Sequence, residues 1–143
     1  MSKEVYTFES ADGVSTIHAV KWLPDDGNIT AVLQITHGMV EYIERYTGLA
    51  EFLNSKNVAV IGHDHIGHGD SVKSEEEWGI MHCECPSDIM VEDIFTNYKK
   101  GKEMFPDKPY FILGHSMGGS IATKTCCQIL KEESTYKELY KKM

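Results

Sequence analysis

The chain has 143 residues, of which 41% are hydrophobic and 25% are charged, and its formal net charge is -8. The length suits a single domain over residues 1–143, and the composition is that of a folded globular protein rather than of a disordered tail. The acidic balance excludes the basic face that nucleic acids require, and it argues against electrostatic docking on anionic lipid.

The N-terminal segment contains no apolar stretch of signal-peptide length, and the sequence shows none long enough for a transmembrane helix. We therefore expect a cytoplasmic protein. The four cysteines fit this expectation, because neighbours as close as Cys83 and Cys85, or Cys126 and Cys127, rarely form a disulfide with each other. Reduced thiols in a reducing compartment are the simple interpretation.

The first part of the chain has the patterns of β-strands. Residues 5–10 and 15–23 predict two strands joined by a turn at Asp12-Gly13. Residues 31–36 form a short run of branched apolar side chains, typical of a strand buried on both faces, and His37-Gly38 ends it. These segments predict an antiparallel pair at one edge, followed by an interior strand.

Helical and strand-like segments alternate after this point. Apolar spacing predicts a helix over 46–54, and a branched run predicts a strand over 58–62. A second helix follows Pro86, another strand covers 110–113, and a third helix covers 120–130. The alternation predicts an α/β fold, with right-handed crossovers and a mainly parallel sheet of about five strands that carries helices on both faces.

A glycine-rich turn lies between the last predicted strand and the helix that follows it. It reads Gly114-His115-Ser116-Met117-Gly118-Gly119 and contains the pattern G-x-S-x-G. In such a turn the serine hydroxyl projects from the sheet, and side chains at Gly114 and Gly118 would collide. We expect Ser116 to be a catalytic nucleophile and the Met117 amide, at a helix N-terminus, to stabilise an oxyanion. The alternative is a plain turn with a surface serine.

Two further features belong to this candidate site. A strand that ends in His37-Gly38 can present the next backbone N–H, that of Met39, as a second oxyanion donor. The alternative is a simple strand-terminating turn. His115 precedes the serine, and in a turn of this kind that side chain points away from the nucleophile, so we expect it to pack or to hydrogen-bond rather than to act as the base.

Three segments together resemble the monoacylglycerol lipase and lysophospholipase branch of the α/β-hydrolase superfamily, which is serine aminopeptidase S33-like. They are residues 37–46, 64–71 and 114–119, and the resemblance covers nearly the whole chain. It implies a serine hydrolase that cleaves carboxylic esters of lipid monoesters through an acyl-serine intermediate. A small lipid-like ester is the expected partner, and no cofactor or metal is implied.

The resemblance also assigns roles to single residues. The amides of Met39 and Met117 match the two oxyanion donors of the family. Glu41 and Arg45 match positions that help to hold the polar glycerol end of the substrate in monoacylglycerol lipases. Tyr42 stands where the family usually has histidine, which leaves the headgroup preference open.

The triad of this fold runs in the chain order serine, acid, histidine. Only 27 residues follow Ser116, and they include three glutamates but no aspartate and no histidine. We therefore expect the N-terminal portion of the fold, without its C-terminal strands and lid, and little or no turnover. The bare edge of the strand before Ser116 predicts self-association.

Two other functions are open at this point. One is a catalytically dead fragment or pseudoenzyme that acts by binding. The other is a metal-dependent hydrolase that uses loop 63–68, where His63, His65 and His68 have the spacing H-x-H-x-x-H. Gly67 stands where the corresponding metal motif needs an aspartate, so a structural role for this loop is the stronger interpretation.

Overall fold

The computed structural model describes residues 1–132. Short 3₁₀ turns at Ile43–Tyr46, Gly69–Ser71 and Glu75–Glu77 accompany the regular elements. In chain order these elements are β1 (Ser2–Glu9), β2 (Thr16–Leu23), β3 (Ala31–Thr36), α1 (Thr47–Asn54), β4 (Val58–His63), α2 (Pro86–Met104), β5 (Tyr110–Gly114) and α3 (Met117–Glu132).

The five described strands form one mixed sheet in the order β1-β2-β4-β3-β5. β4, β3 and β5 are parallel, whereas β1 pairs with β2 and β2 pairs with β4 in antiparallel register. The predicted α/β sheet of about five strands is confirmed, with its antiparallel hairpin at one edge. β3 lies inside the parallel part, as its run of branched apolar residues indicated.

Helices cover both faces of the sheet, as predicted. Alternate residues of β2 show this directly, because successive side chains of a strand point to opposite faces. Ile17 and Ala19 pack with α2 and α3, whereas Val20 and Trp22 pack on the other face with Ala50 of α1. None of the helices in the described part of the chain has the length and apolarity needed to cross a bilayer.

The register of the parallel strands positions the candidate site. Thr36, the last residue of β3, pairs with Gly114, the last residue of β5. The carboxyl ends of the two strands therefore stop at the same level, which brings the segment after β3 beside the turn after β5. Parallel α/β sheets place functional loops at this edge.

One element differs from its predicted bounds in a way that matters for the site. α3 begins at Met117, three residues before the predicted start at 120. Gly118 and Gly119 therefore lie in the first helical turn instead of in a loop. Glycine is a poor helix former, which is why propensity alone delays the predicted start.

Buried histidines join the ends of β3 and β4. The Nδ1–H of His37 donates to the Gly38 carbonyl at 2.7 Å, and its Nε2 accepts the His65 amide at 3.1 Å. The Nε2–H of His65 donates back to the His37 carbonyl at 3.0 Å. The bond that His37 accepts at Nε2 fixes its ring as a neutral group, and the three bonds together lock the two strand ends to each other.

Burial opposes the charged form of three histidine rings at this edge, because a cation loses its hydration in the interior. It lowers the pKa of His37 to about 4 and the pKa of His63 to about 3. Burial also holds the pKa of His65 well below its ordinary value. The three histidines therefore fit the folded chain only while they are neutral.

This arrangement predicts that stability falls as the pH falls below about 6.5. Unfolded histidine has a pKa near 6.5, so the unfolded chain binds more protons than the folded chain and acid favours unfolding. Each ring contributes up to about 1.4 kcal/mol per pH unit, from pH 6.5 down to its folded pKa. Asp93, whose pKa burial raises to about 6, acts in the opposite direction and offsets about one histidine.

Urea denaturation between pH 7 and pH 5 measures this slope. His63→Gln removes one titrating ring, so the free energy of unfolding should depend less steeply on pH than in the unmodified chain. A free energy of unfolding that stays constant over this range would contradict the assignment of neutral buried rings.

Candidate active site

The predicted nucleophile turn is present between β5 and α3. Ser116 has a φ of 54°, in the left-handed region that non-glycine residues seldom occupy. Such a conformation costs about 1–3 kcal/mol and concentrates at functional sites. The amides of Gly118 and Gly119 close the turn onto the carbonyls of His115 and Ser116, each at 2.9 Å. Ser116 is exposed, so the turn presents its side chain to solvent.

The two glycines of the pattern serve different contacts. A Cβ at Gly114 would lie 2.5 Å from the Cα of Gly119, so this glycine lets the turn fold back on itself. A Cβ at Gly118 would collide with the backbone carbonyl oxygens of Thr36 and His37. The second glycine therefore allows the first turn of α3 to rest directly on the end of β3.

The segment after β3 lies against this turn. The His115 amide donates to the Thr36 carbonyl at 3.1 Å. A Cβ at Gly38 would lie 3.1 Å from the His115 carbonyl oxygen, and Val40 has a φ of 58°. The structure thus brings the predicted donor loop and the predicted nucleophile together.

The two backbone amides predicted as oxyanion donors are free to donate to a ligand. Within residues 1–132, the amides of Met39 and Met117 donate no hydrogen bond. For Met117 this follows from its position, since the first amides of a helix have no intrahelical acceptor. The partial positive charge of the α3 N-terminus adds to the effect. This arrangement can stabilise negative charge that develops beside Ser116.

Glu41 is the most connected side chain near the site. One oxygen, Oε2, accepts the Gly38 amide at 2.6 Å, the His115 Nδ1–H at 2.9 Å and the Tyr46 hydroxyl at 3.3 Å. The other oxygen lies 3.2 Å from Nη1 of Arg45. Burial opposes ionisation of Glu41, but the hydrogen bonds from His115 and Gly38 outweigh it and hold the pKa below its ordinary value.

No general base is in place among the described residues. Within residues 1–132, the Ser116 hydroxyl has no hydrogen-bond partner. His115, the neighbouring histidine, directs its Nδ1 to Glu41, in agreement with the hydrogen-bonding role predicted for it. His37 and His65 are fully buried and bonded to each other.

A groove of about 490 Å³ adjoins the donor loop. Two hydrogen bonds join its sides: the indole N–H of Trp78 donates to the Gly69 carbonyl at 2.9 Å, and the Gly79 amide donates to the Gly67 carbonyl at 2.8 Å. The lining residues are Met39, Val40, Glu41, Tyr42, Gly67, His68, Gly69, Trp78, Gly79 and Met81.

The 78–81 side of this groove is not predicted from the sequence. The available signal was an isolated tryptophan, Trp78, in a charged segment with no periodic apolar pattern. A large apolar side chain in such a segment has no strand or helix face to join, which indicates a role in a loop.

Three ring nitrogens of the histidine loop are hydrogen-bonded within the protein, whereas Nε2 of His63 and Nδ1 of His65 are buried without a partner among residues 1–132. His65 is bonded to the His37 carbonyl, and the His68 Nδ1–H donates to the Ile66 carbonyl at 2.9 Å. These contacts support the structural interpretation of residues 63–68.

A different set of described residues, His18, Asp64 and Asp70, has ligand atoms within 4.8 Å of one another. The carboxylate of Asp64 already accepts the amides of Ile43 at 2.6 Å and of Asp70 at 2.9 Å. Asp64 therefore anchors the loops around it, and these contacts explain its burial without an ion.

Gly118→Ala should separate α3 from β3 and destabilise the chain by about 3 kcal/mol, because the added methyl meets backbone atoms that cannot rotate away. Gly119→Ala is the matched control: its Cβ would lie 3.4 Å from the nearest neighbour, the Gly114 carbonyl oxygen. This second change should stabilise the helix by about 0.5–1 kcal/mol. Urea denaturation of both variants measures the difference, and equal effects would rule out the close approach at Gly118.

Comparison with known proteins places this geometry in a family. The family described as serine aminopeptidase, S33 matches residues 27–138. The chain is 36% identical over 101 residues to a monoglyceride lipase of Mus musculus, a match that covers 71% of this chain and 31% of the relative. It is 31% identical over 120 residues to a monoacylglycerol lipase of Mycolicibacterium smegmatis, covering 84% of this chain and 40% of the relative.

Solved structures agree. A thermostable carboxyl esterase from Bacillus coagulans, in complex with glycerol, superposes with a TM-score of 0.77 at 31% identity, over 87% of this chain and 40% of that chain. The chain thus spans 31% to 40% of the length of these proteins, and the predicted partial α/β-hydrolase fold is confirmed. By its sequence and its fold, the chain belongs to the serine aminopeptidase S33 family of α/β-hydrolases and is monoglyceride lipase-like.

Proposed function

We propose that this chain carries the nucleophile and the oxyanion donors of a serine hydrolase that cleaves carboxylic esters of lipid monoesters. The observation that carries the proposal is the left-handed turn at Ser116, held beside the Met39 loop by the bond from the His115 amide to the Thr36 carbonyl. The likeness to monoglyceride lipases and to a carboxyl esterase supports an ester as the substrate class.

The proposed reaction uses this geometry, with a base that residues 1–132 do not supply. The Ser116 oxygen attacks the ester carbonyl carbon and gives its proton to a base, and the carbonyl oxygen becomes an oxyanion. The amides of Met39 and Met117 donate to that oxyanion, and each donor of this kind is worth about 10²–10³ in rate. Collapse of the intermediate breaks the bond to the alcohol, which leaves protonated, and water then hydrolyses the acyl-serine.

The lack of a general base among the described residues limits turnover. A serine without an aligned base is a weak nucleophile, and oxyanion donors and binding alone leave about 10³–10⁴ over the reaction in water. We therefore propose slow acylation by this chain. A binding protein without turnover is the second candidate, favoured by the Ser116 hydroxyl having no acceptor within residues 1–132.

The groove beside Met39 supports an apolar substrate. Its walls include Val40, Tyr42 and Trp78, which expose 86%, 51% and 54% of their surface. An apolar groove that begins at an oxyanion donor suits the hydrocarbon part of an ester, because burying that part removes apolar surface of both partners from water.

Reaction with a fluorophosphonate tests the nucleophile. We expect covalent labelling that Ser116→Ala abolishes and Ser120→Ala preserves, because Ser120 is an exposed serine on the same helix, outside the turn. Intact-mass measurement gives the stoichiometry. Turnover of p-nitrophenyl butyrate, measured in parallel, distinguishes a slow hydrolase from a protein that binds only. Equal labelling of the Ser116→Ala chain would refute the proposed nucleophile.

We also propose that β5 mediates self-association. Among the described strands β5 pairs with β3 alone. Phe111, the register partner of Leu33, lies on the α1 side of the sheet, and Phe111 and Leu113 are 58% and 39% exposed. An unpaired strand with an uncovered apolar face invites pairing with a second copy.

Light scattering over a range of concentrations measures this association. The unmodified chain should form dimers or larger species, and Phe111→Lys should reduce them, because a charge on an edge strand opposes pairing. Phe52→Lys is the control, since Phe52 is comparably exposed at 60% but lies on helix α1. A monomeric mass at high concentration would contradict the proposal.

A further inference from the structure

The carboxylate of Glu41 touches the backbone immediately before the candidate oxyanion donor Met39. Its Oε2 accepts the Gly38 amide at 2.6 Å, a short hydrogen bond of the charge-assisted kind, which is about twice as strong as a neutral one. The same oxygen accepts the His115 Nδ1–H at 2.9 Å. One atom therefore connects the donor loop to the residue that precedes Ser116.

The absence of a side chain at Gly38 leaves the room that this contact needs. A Cβ there would lie 2.7 Å from Oε2 of Glu41 and 3.2 Å from Nδ1 of His115. The backbone of Gly38 does not have a positive φ, so left-handed geometry does not explain the glycine. It is explained by space, because any side chain would push the carboxylate away from the amide.

The burial of Glu41 argues against an open role in substrate binding. Its side chain is only 10% exposed, and its two oxygens serve Gly38, His115, Tyr46 and Arg45. A substrate hydroxyl would have to displace one of these partners. Arg45, by contrast, is 53% exposed and has donors left for a ligand.

We propose that Glu41 is a positioning residue that holds the Met39 amide in the oxyanion hole by fixing Gly38 to His115. This inference rests on the proposed function of the site, and it replaces the substrate-binding role that the family resemblance implies for Glu41. Met39 itself is 63% exposed and belongs to no helix or strand, so its amide depends on such an anchor for its orientation. Loss of the anchor allows displacements of about 1 Å, which can cost up to about 10² in rate.

The test uses Glu41→Gln and Glu41→Asp, with Glu44→Gln as the matched control. Glu44 lies three residues further on, in the 3₁₀ turn Ile43–Tyr46, is 36% exposed and pairs with Lys3 instead of the donor loop. The glutamine variant keeps the shape but loses the charge, and the aspartate variant keeps the charge but is one methylene too short to reach Gly38. A role that depends on both charge and reach predicts that both variants behave alike.

Two measurements are made on each variant. Amide proton NMR reports the Gly38 bond directly: its resonance should move upfield, and its exchange with solvent should become faster, in both Glu41 variants but not in Glu44→Gln. Fluorophosphonate labelling should slow at least tenfold in the maximal rate constant, with little change in the reagent concentration that gives half of that rate.

The outcomes separate this inference from the proposed function. An unchanged Gly38 resonance in Glu41→Gln would overturn the positioning role, as would a labelling defect confined to reagent affinity, which would restore a substrate-binding role. If the unmodified chain does not label at all, the proposed function fails, and the Gly38 resonance alone decides whether Glu41 holds the loop.

Discussion

The candidate site depends on one backbone contact, the hydrogen bond from the His115 amide to the Thr36 carbonyl at 3.1 Å. It extends the parallel pairing of β3 and β5 by one step beyond the last register pair, Thr36 and Gly114. Because the two strands end at the same level, the segment after β3 and the segment after β5 lie in contact. The sheet thereby fixes the spacing between Ser116 and the Met39 loop before any side chain contributes.

Buried polar groups then hold the loops at this edge, and each acts on backbone. Asp64 accepts the amides of Ile43 and Asp70, and Glu41 accepts the amide of Gly38. A buried carboxylate is costly unless hydrogen bonds compensate for its lost hydration. Backbone amides supply these hydrogen bonds with fixed geometry. Each buried carboxylate therefore holds its loop in one conformation. The neutral ring of His37 does the same between β3 and β4.

Local patterns in the sequence predict the strands and the nucleophile turn, because both are set by residues close in the chain. β3 has the predicted bounds, and the turn at Ser116 follows from its flanking glycines. The contact of Glu41 with His115 joins residues 74 positions apart, and no local pattern encodes it. The groove wall at Trp78 is unpredictable for a different reason: its partner, the Gly69 carbonyl, lies nine positions away in the same segment between β4 and α2, and that segment has no periodic apolar pattern.

The backbone strain at Ser116 raises the free energy of the folded chain, and other contacts have to compensate for it. A left-handed serine costs about 1–3 kcal/mol, and it persists because the carbonyls of His115 and Ser116 accept the amides of Gly118 and Gly119 in α3. Relaxing the turn would break these bonds and lift Gly118 from the end of β3. The strained conformation is therefore held by the same contacts that seat α3 on the sheet. Those contacts lie within β3, β5 and α3, so the geometry at Ser116 does not depend on what covers the outer edge of β5.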